Sequence, residues 1–273
     1  MGEVKNLGSL NGKILVFGGA YSNLHALQRM RELAAEASIL PHQVINTGDT
    51  VGYCAYPEEC LSLVKDWGIH SILGNIEIQI REGQEDCGCN FDEDSRCDLL
   101  SKQWYPYAYE QISAPMKAWL HQWPNQLQFQ YAGKQFAVVH GSALDTAEFI
   151  FRSTPWTQKA KSFDLTNSDV ILAGHCGLPF SHANDEKLWL NAGVIGMPAN
   201  DGTARVWYMI LNDEDGLAYV HHSFHYDHQT AANLMKQHQL PNSYATTLST
   251  GVWDNCEILP EEETGMQGER MEF

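Results

Sequence analysis

Four polar residues could together hold a metal ion: Asp49, Asn75, His140 and His175. Each stands beside a glycine at the point where an apolar run of the chain ends. One carboxylate, one amide oxygen and two imidazoles form a ligand set that suits Mn, Fe or Zn better than Mg or Ca. Any one of these residues alone is more often a turn residue or a packed polar side chain. Their recurrence at successive apolar runs is what predicts a divalent-metal site.

Three cysteines in an acidic stretch, residues 81–98, form a second candidate metal site. Cys87, Cys89 and Cys97 could bind Zn or an iron centre, with a fourth ligand from elsewhere in the chain. Their spacing matches no standard structural zinc pattern, and free or redox-active thiols are the alternative interpretation. The chain has seven cysteines, an odd number that favours reduced thiols or a metal site over disulfides.

Short apolar runs and helical periodicity outline the elements that would position these residues. Strands are predicted at 13–17, 44–46, 69–73, 127–131, 136–139 and 170–173, and helices at 24–37, 57–67, 99–123, 156–163 and 228–238. Strands that alternate with helices predict a largely parallel sheet, and ligands bind at the carboxyl ends of its strands. The runs 188–191, 205–211 and 217–222 are predicted to close a second sheet. The acidic end, 261–273, is predicted to be frayed.

Segments in this order and spacing resemble the calcineurin-like metallophosphoesterases, in particular the small bacterial and archaeal phosphodiesterases among them. The motifs of that family run roughly D-x-H, G-D, G-N-H-D/E, a strand that ends in H, and G-H-x-H. The corresponding segments here are 19–23, 48–53, 74–77, 139–142 and 174–179, and 191–196 resembles the asparagine-glycine turn that follows. The resemblance covers about residues 13–211.

The resemblance implies an α/β fold, a four-layer αββα sandwich of two mixed sheets with a small Cys-bearing helical insert. It implies a metallophosphoesterase-like domain over residues 1–225, in which 78–125 form a cap or a loop-helix elaboration. Residues 226–273 would then be a C-terminal helical extension with an acidic tail.

Carried over residue by residue, the resemblance implies one complete and one incomplete metal site. The four polar residues named above would hold one ion completely. The family's ligands for the other ion fall on Gly19, Tyr21 and Gly177, so that only the shared Asp49 remains. The family's acid for the leaving group is replaced by Ile76. Activity on poor leaving groups is therefore expected to be weak, because the loss of a general acid typically costs about 10²–10⁴-fold in rate.

Catalysis and substrate binding are predicted for residues close to this ion. Asn75 and His140 are the predicted catalytic residues. Tyr21, Ser22 and Asn23 are the predicted substrate-binding residues. Backbone N–H groups at the start of the helix that follows them could hold a phosphate oxygen, and the Tyr21 hydroxyl could replace a missing group.

Three functional hypotheses remain open at this point. The favoured one is a metal-dependent phosphoesterase that hydrolyses a small phosphodiester or phosphomonoester. The alternative is a catalytically degenerate protein that binds metal or a phosphorylated ligand without turnover. In the third, the Cys-bearing insert rebuilds the emptied site into a different metal centre.

Charge narrows the range of partners. With 34 acidic and 17 basic residues the net charge is −17, which repels nucleic-acid polymers and anionic membranes. The polar stretch 1–12 resembles neither a signal peptide nor an anchor, and no apolar run approaches the roughly 20 residues that span a bilayer. We therefore predict a cytoplasmic protein that acts on a small phosphorylated substrate. The sequence does not predict its oligomeric state.

Overall fold

Two β-sheets pack face to face in the computed structural model, which describes residues 2–273. The strands are β1 Val4–Ser9, β2 Ile14–Phe17, β3 Val44–Asn46, β4 His70–Ser71, β5 Gln126–Tyr131, β6 Lys134–Val138, β7 Val170–Ala173, β8 Pro179–Asn184, β9 Lys187–Ala192, β10 Val206–Asn212 and β11 Ala218–Phe224. One sheet has the order β1-β5-β6-β7-β9-β8, and the other has the order β11-β10-β2-β3-β4. Both sheets mix parallel and antiparallel pairs.

Helices cover the outer faces of both sheets. They are α1 Leu24–Glu36, α2 Pro57–Trp67, α3 Asn75–Glu82, α4 Arg96–Gln111, α5 Ala114–Leu120, α6 Trp156–Thr166, α7 His228–Gln237, α8 Asn242–Thr250 and α9 Glu261–Thr264. Helices α1, α2 and α7 pack on the five-stranded sheet, and α6 packs on the six-stranded sheet. Across residues 2–273, no helix combines the length and the apolar character needed to cross a bilayer.

Strand β2 shows how the layers form. Its side chains alternate between the two faces of the sheet, as in any β-strand. Ile14 and Val16 join the apolar core between the sheets, whereas Leu15 and Phe17 join the core under the helices. A short strand that is apolar at every position is therefore buried on both faces. The result is the four-layer αββα sandwich that the sequence predicts.

Parallel pairing brings the polar loops to one edge of the molecule. Strands β2, β3 and β4 run parallel to one another, and so do β6, β7 and β9. The loops that follow β3, β4, β6 and β7 therefore leave their sheets on the same side. Each of these loops carries one of the four predicted metal ligands.

The prediction that 188–191, 205–211 and 217–222 close a single second sheet is wrong. Strand β9 pairs with β7 in the six-stranded sheet, whereas β10 and β11 extend the five-stranded sheet beside β2. An apolar run shows that a strand is buried but does not show which strand it pairs with. Strand β1 was not predicted, because its residues are largely exposed; it is held by backbone pairing with β5 and by Leu7, which packs against the core between the sheets.

The predicted long helix at 99–123 is instead two helices. Helix α4 ends before Ser113, whose hydroxyl accepts a hydrogen bond from the Met116 N–H and begins α5. Helix α3, which begins at Asn75, and helix α8 were not predicted. Both α7 and α8 contribute to the same core as α1, and the domain boundary at residue 225 stays a prediction.

The prediction of a frayed C-terminal end is also wrong, because that end is held by specific contacts. Glu263 accepts a hydrogen bond of 2.6 Å from the Ser153 hydroxyl. The ring of Phe273 stacks on His221 with 4.3 Å between ring centroids. The guanidinium of Arg205 donates to the Met271 carbonyl.

Arg205 also forms a buried ion pair with Asp201, with a nitrogen–oxygen distance of 2.8 Å. Arg205→Met is expected to lower the free energy of unfolding by about 3–5 kcal/mol, because it leaves a buried carboxylate without its cation. Chemical denaturation measures the change. The matched control is Arg29→Met, which removes two surface ion pairs and is expected to have a much smaller effect. Equal losses in the two variants would contradict the structural role of the buried pair.

Candidate metal centre

The four predicted ligands come from four loops at one edge of the two sheets. Asp49 follows β3, Asn75 begins α3, and His140 and His175 follow β6 and β7. All four residues are buried. Asp49 and His175 have φ values of +56° and +61°, in the left-handed region that side chains other than glycine rarely adopt. Such backbone conformations are typical of functional sites held by the surrounding structure.

Glycines let these loops approach one another closely. Gly48 has a φ of +99°, and a Cβ atom there would lie 2.6 Å from Nδ1 of His140. A Cβ atom on Gly74 would lie 2.0 Å from Oδ1 of Asp49. Both positions therefore require glycine, which explains why glycine stands next to each polar residue.

The potential ligand atoms of the four residues converge on one point. Nε2 of His140 lies 3.1 Å from Oδ2 of Asp49, 3.2 Å from Oδ1 of Asn75 and 3.2 Å from Nδ1 of His175. Ligand atoms that share an ion at about 2.1 Å lie roughly 3.0–3.4 Å apart in octahedral or tetrahedral arrangements. The observed separations match that spacing.

The hydrogen bonds around the centre orient these atoms so that their lone pairs point toward one another. Nδ1 of His140 lies 2.6 Å from the Thr47 carbonyl, so Nδ1 donates and Nε2 of the neutral ring has a free lone pair. The Asn75 amide nitrogen donates to the Cys87 carbonyl, which fixes the amide oxygen toward His140. Within the described residues, Oδ1 of Asp49 is buried without any hydrogen-bond partner. A cation would satisfy such an arrangement. Among residues 2–273, Asp49, His140 and His175 form the one cluster of at least three Asp, Glu, His or Cys side chains whose ligand atoms lie close enough together to hold a metal ion.

Burial acts differently on the two imidazoles. Burial, followed by the charge of His140, lowers the pKa of His175 to about 3, so this ring stays neutral. Burial also opposes the charged form of His140, but the Asp49 carboxylate outweighs it and raises the pKa of His140 above its usual value. Without an ion, a proton on His140 takes the place of the cation. Metal binding would displace this proton.

Glu77 holds two of the ligand loops together. Its side chain is fully buried and accepts hydrogen bonds of 2.9 Å from the N–H groups of Asp49, Val51 and Gly74. Burial and the charge of Asp49 raise the pKa of Glu77 to about 7. This residue was missed as a functional residue, although a glutamate at the third position of a helix is a known N-terminal capping signal.

The cysteine-bearing insert is close to the centre in a different way from the one predicted. Within residues 2–273 the thiols of Cys87, Cys89 and Cys97 do not form a three-ligand group. The Asn75 amide instead donates to the Cys87 carbonyl at 2.8 Å and to Sγ of Cys89 at 3.2 Å. The Cys97 thiol donates to Asn255. The insert therefore orients the Asn75 side chain.

The three predicted substrate-binding residues have different surroundings. Tyr21 lines a cavity beside the centre. Ser22 is buried and accepts a hydrogen bond from the Gly52 N–H. Asn23 is buried too, donates to the Gly196 carbonyl and caps α1. The placement of Ser22 and Asn23 supports a structural role and does not support their predicted contact with substrate.

The cavity beside the centre has a volume of about 80 Å³ and mostly apolar walls. Asp49 and His175 are among the residues that line it. The Phe149 ring stacks on His175 with 4.2 Å between ring centroids. Further walls come from the C-terminal part of the chain, including Trp253 and Ile258. The sequence alone did not indicate this contribution.

The chain is similar to several known proteins. A model of the calcineurin-like phosphoesterase superfamily domain matches residues 18–216. The chain is similar to a metallophosphoesterase from Sphaerobacter thermophilus, with 23% identity, a TM-score of 0.69, and coverage of 89% of this chain and 100% of that chain. It is also similar to a hypothetical protein from Pyrococcus horikoshii OT3, with 17% identity, a TM-score of 0.74, and coverage of 88% and 99%. An uncharacterised protein from Methanocaldococcus jannaschii is 23% identical over 217 residues, which are 74% of this chain and 83% of that protein.

The contact between Cys89 and Asn75 predicts a measurable effect on metal binding. Cys89→Ala is expected to weaken binding of Mn²⁺ or Zn²⁺ by about tenfold, because it removes one of the two acceptors that orient the Asn75 amide. Isothermal titration calorimetry measures the affinity. Cys89→Ser retains an acceptor and is expected to recover part of the loss, and Cys256→Ser is the matched control. Unchanged affinity in Cys89→Ala would contradict this role.

Proposed function

The chain belongs to the calcineurin-like phosphoesterase superfamily, and we propose that it hydrolyses a small phosphoester with one divalent metal ion as its cofactor. The observation that carries this proposal is the convergence of four potential ligand atoms, three of which lie 3.1–3.2 Å from the fourth, Nε2 of His140. Asp49, Asn75, His140 and His175 would hold the ion, and their chemistry favours Mn, Fe or Zn. Such an ion, when bound, polarises a phosphoryl oxygen and lowers the pKa of water.

Aromatic rings beside two glycines support a single ion. A Cβ atom on Gly19 would lie 2.5 Å from Cζ of Tyr21, and one on Gly177 would lie 3.3 Å from the Trp253 ring. The ring of Tyr21 therefore occupies the space that a longer side chain at position 19 would need. These glycines stand where the family resemblance places ligands of the other ion. The surroundings of both positions support one full and one incomplete site.

Tyr21 is the chain's own candidate for holding a phosphoryl oxygen. Burial, followed by the nearby Asp49 carboxylate, raises the pKa of Tyr21 well above its usual value. The phenol therefore stays protonated and can donate a hydrogen bond into the cavity. Asn75 and His140 would act by holding the reacting phosphoryl group in position through the ion that they bind, which is the catalytic role we propose for them.

One observation favours a second candidate function, ligand binding without turnover. Ile76 is completely buried and stands where the family resemblance places the acid for the leaving group. An aliphatic side chain cannot donate a proton, so a poor leaving group would depart without help from this position. We expect measurable hydrolysis only of esters with good leaving groups, such as aryl esters.

Metal content and turnover test the proposal together. The purified protein is expected to contain about one Mn, Fe or Zn ion per chain by elemental analysis, and to hydrolyse an aryl phosphodiester. Asp49→Asn is expected to reduce both metal content and activity, the latter by at least about 100-fold. Asp66→Asn, an exposed change in α2, is the matched control. Two ions per chain would contradict the single-ion proposal, and bound metal without hydrolysis would favour the second candidate.

The hydroxyl of Tyr21 can be tested separately from its ring. Tyr21→Phe keeps the ring beside Gly19, so metal content is expected to stay the same. The value of kcat/KM for an aryl phosphodiester is expected to fall about tenfold, because a hydrogen bond to a charged oxygen is lost. Tyr208→Phe is the matched control, since Tyr208 lies on β10 away from the cavity. Unchanged kcat/KM in Tyr21→Phe would show that the hydroxyl does not touch the substrate.

A further inference from the structure

We infer that this site takes a singly charged phosphodiester with one small apolar or aromatic ester group, in preference to a doubly charged phosphomonoester. The inference rests on the proposed function, because it places the phosphoryl group at the Asp49–His175 metal centre. It is carried by the charge of the ligand set, by the absence of cationic side chains around the cavity and by the apolar wall next to His175.

The ligand set leaves little positive charge for the substrate. Asp49 is its one carboxylate, whereas the Asn75 amide and the two imidazoles are neutral ligands. A divalent ion held in this way has one net positive charge. A monoanionic diester balances this charge, whereas a dianionic monoester leaves one negative charge without a counterpart.

The walls of the cavity supply no other cation. Among the described residues that line it there is no lysine or arginine, and the side chains that carry charge there are acidic, Asp49 and Asp254. Arg96 does not line the cavity, and its guanidinium forms an ion pair with Asp254, with a nitrogen–oxygen distance of 2.6 Å. Phosphate dianions are usually recognised by arginine or lysine side chains. A second negative charge would therefore lose its hydration here without gaining a partner.

The apolar wall lies directly beside the centre, which places an ester substituent against it. Phe149 stacks on His175 and also on Phe91, with 6.4 Å between the two phenylalanine ring centroids. Trp253 and Ile258 line the same cavity. Its volume of about 80 Å³ is well below the roughly 300–1,000 Å³ of pockets for larger ligands. The enclosed space therefore favours a small ester group over a bulky one.

Two non-hydrolysable probes separate charge from shape. Ethyl phenylphosphonate is a monoanion, whereas phenylphosphonate is predominantly a dianion at a pH of about 8. Isothermal titration calorimetry of each probe into the Mn²⁺-loaded protein measures the affinities. The monoanionic ester is expected to bind at least about tenfold more tightly, a difference of about 1.4 kcal/mol. Equal or tighter binding of the dianion, or no binding of either probe, would overturn the inference.

A new charge in the cavity should change this preference. Ile258 is half-buried, so that a longer side chain can be accommodated at its position. Ile258→Lys is expected to improve binding of phenylphosphonate by about tenfold. Ile258→Met, a substitution without charge, is expected to leave the preference unchanged. A preference that does not respond to the lysine would show that charge in this cavity does not select the ligand, and would overturn the inference.

Hydrolysis distinguishes a failure of this inference from a failure of the proposed function. The substrates are methyl phenyl phosphate, a diester, and phenyl phosphate, a monoester. Metal-dependent binding of the ester probe without any hydrolysis would contradict the phosphoesterase proposal and still support the ligand class. Faster hydrolysis of phenyl phosphate would support a phosphoesterase and overturn the inference.

Discussion

The site depends on one constraint: several atoms with lone pairs are held close together in a buried space. Two oxygen atoms and one nitrogen atom from three separate segments lie about 3.1–3.2 Å from an imidazole nitrogen of a fourth. Acceptors so close together repel one another unless a cation or a proton lies among them. The surrounding structure imposes this proximity through Glu77, which ties two loops together, and through the Thr47 carbonyl, which fixes the His140 ring. The left-handed backbone conformations of Asp49 and His175 are part of the same close arrangement.

The space next to the metal centre has apolar surroundings instead of polar ones. Where a second ion would need ligands, the chain has glycines, and the rings of Tyr21 and Trp253 stand beside them. Apolar surface has thus replaced charge on one side of the centre, while the other side retains its full polar set. Under the proposed function, a single ion held here would be a weaker electrophile than a two-ion clamp.

Much of this architecture is visible in the sequence because it depends on local patterns. Strands β2 and β7 are apolar at every position and are followed directly by glycine, which predicts both their burial and the loops that follow. The sandwich itself is confirmed. The pairing of β9, β10 and β11 was assigned wrongly, because pairing depends on partners distant in the chain. The roles of Glu77 and of the Cys87–Cys89 turn depend on hydrogen bonds to backbone groups of other loops, which no sequence pattern records.

The contribution of the C-terminal part of the chain to the cavity wall has one further consequence. Tyr244, Trp253, Asp254 and Ile258 all come after residue 216, where the match to the family domain ends. The four candidate metal ligands thus lie inside the shared domain, whereas part of the cavity wall is contributed by residues beyond it. A homologue with the same four ligands and a different trailing segment would therefore have a different cavity wall. Transfer of a substrate from one such protein to another is justified only when those trailing segments correspond as well.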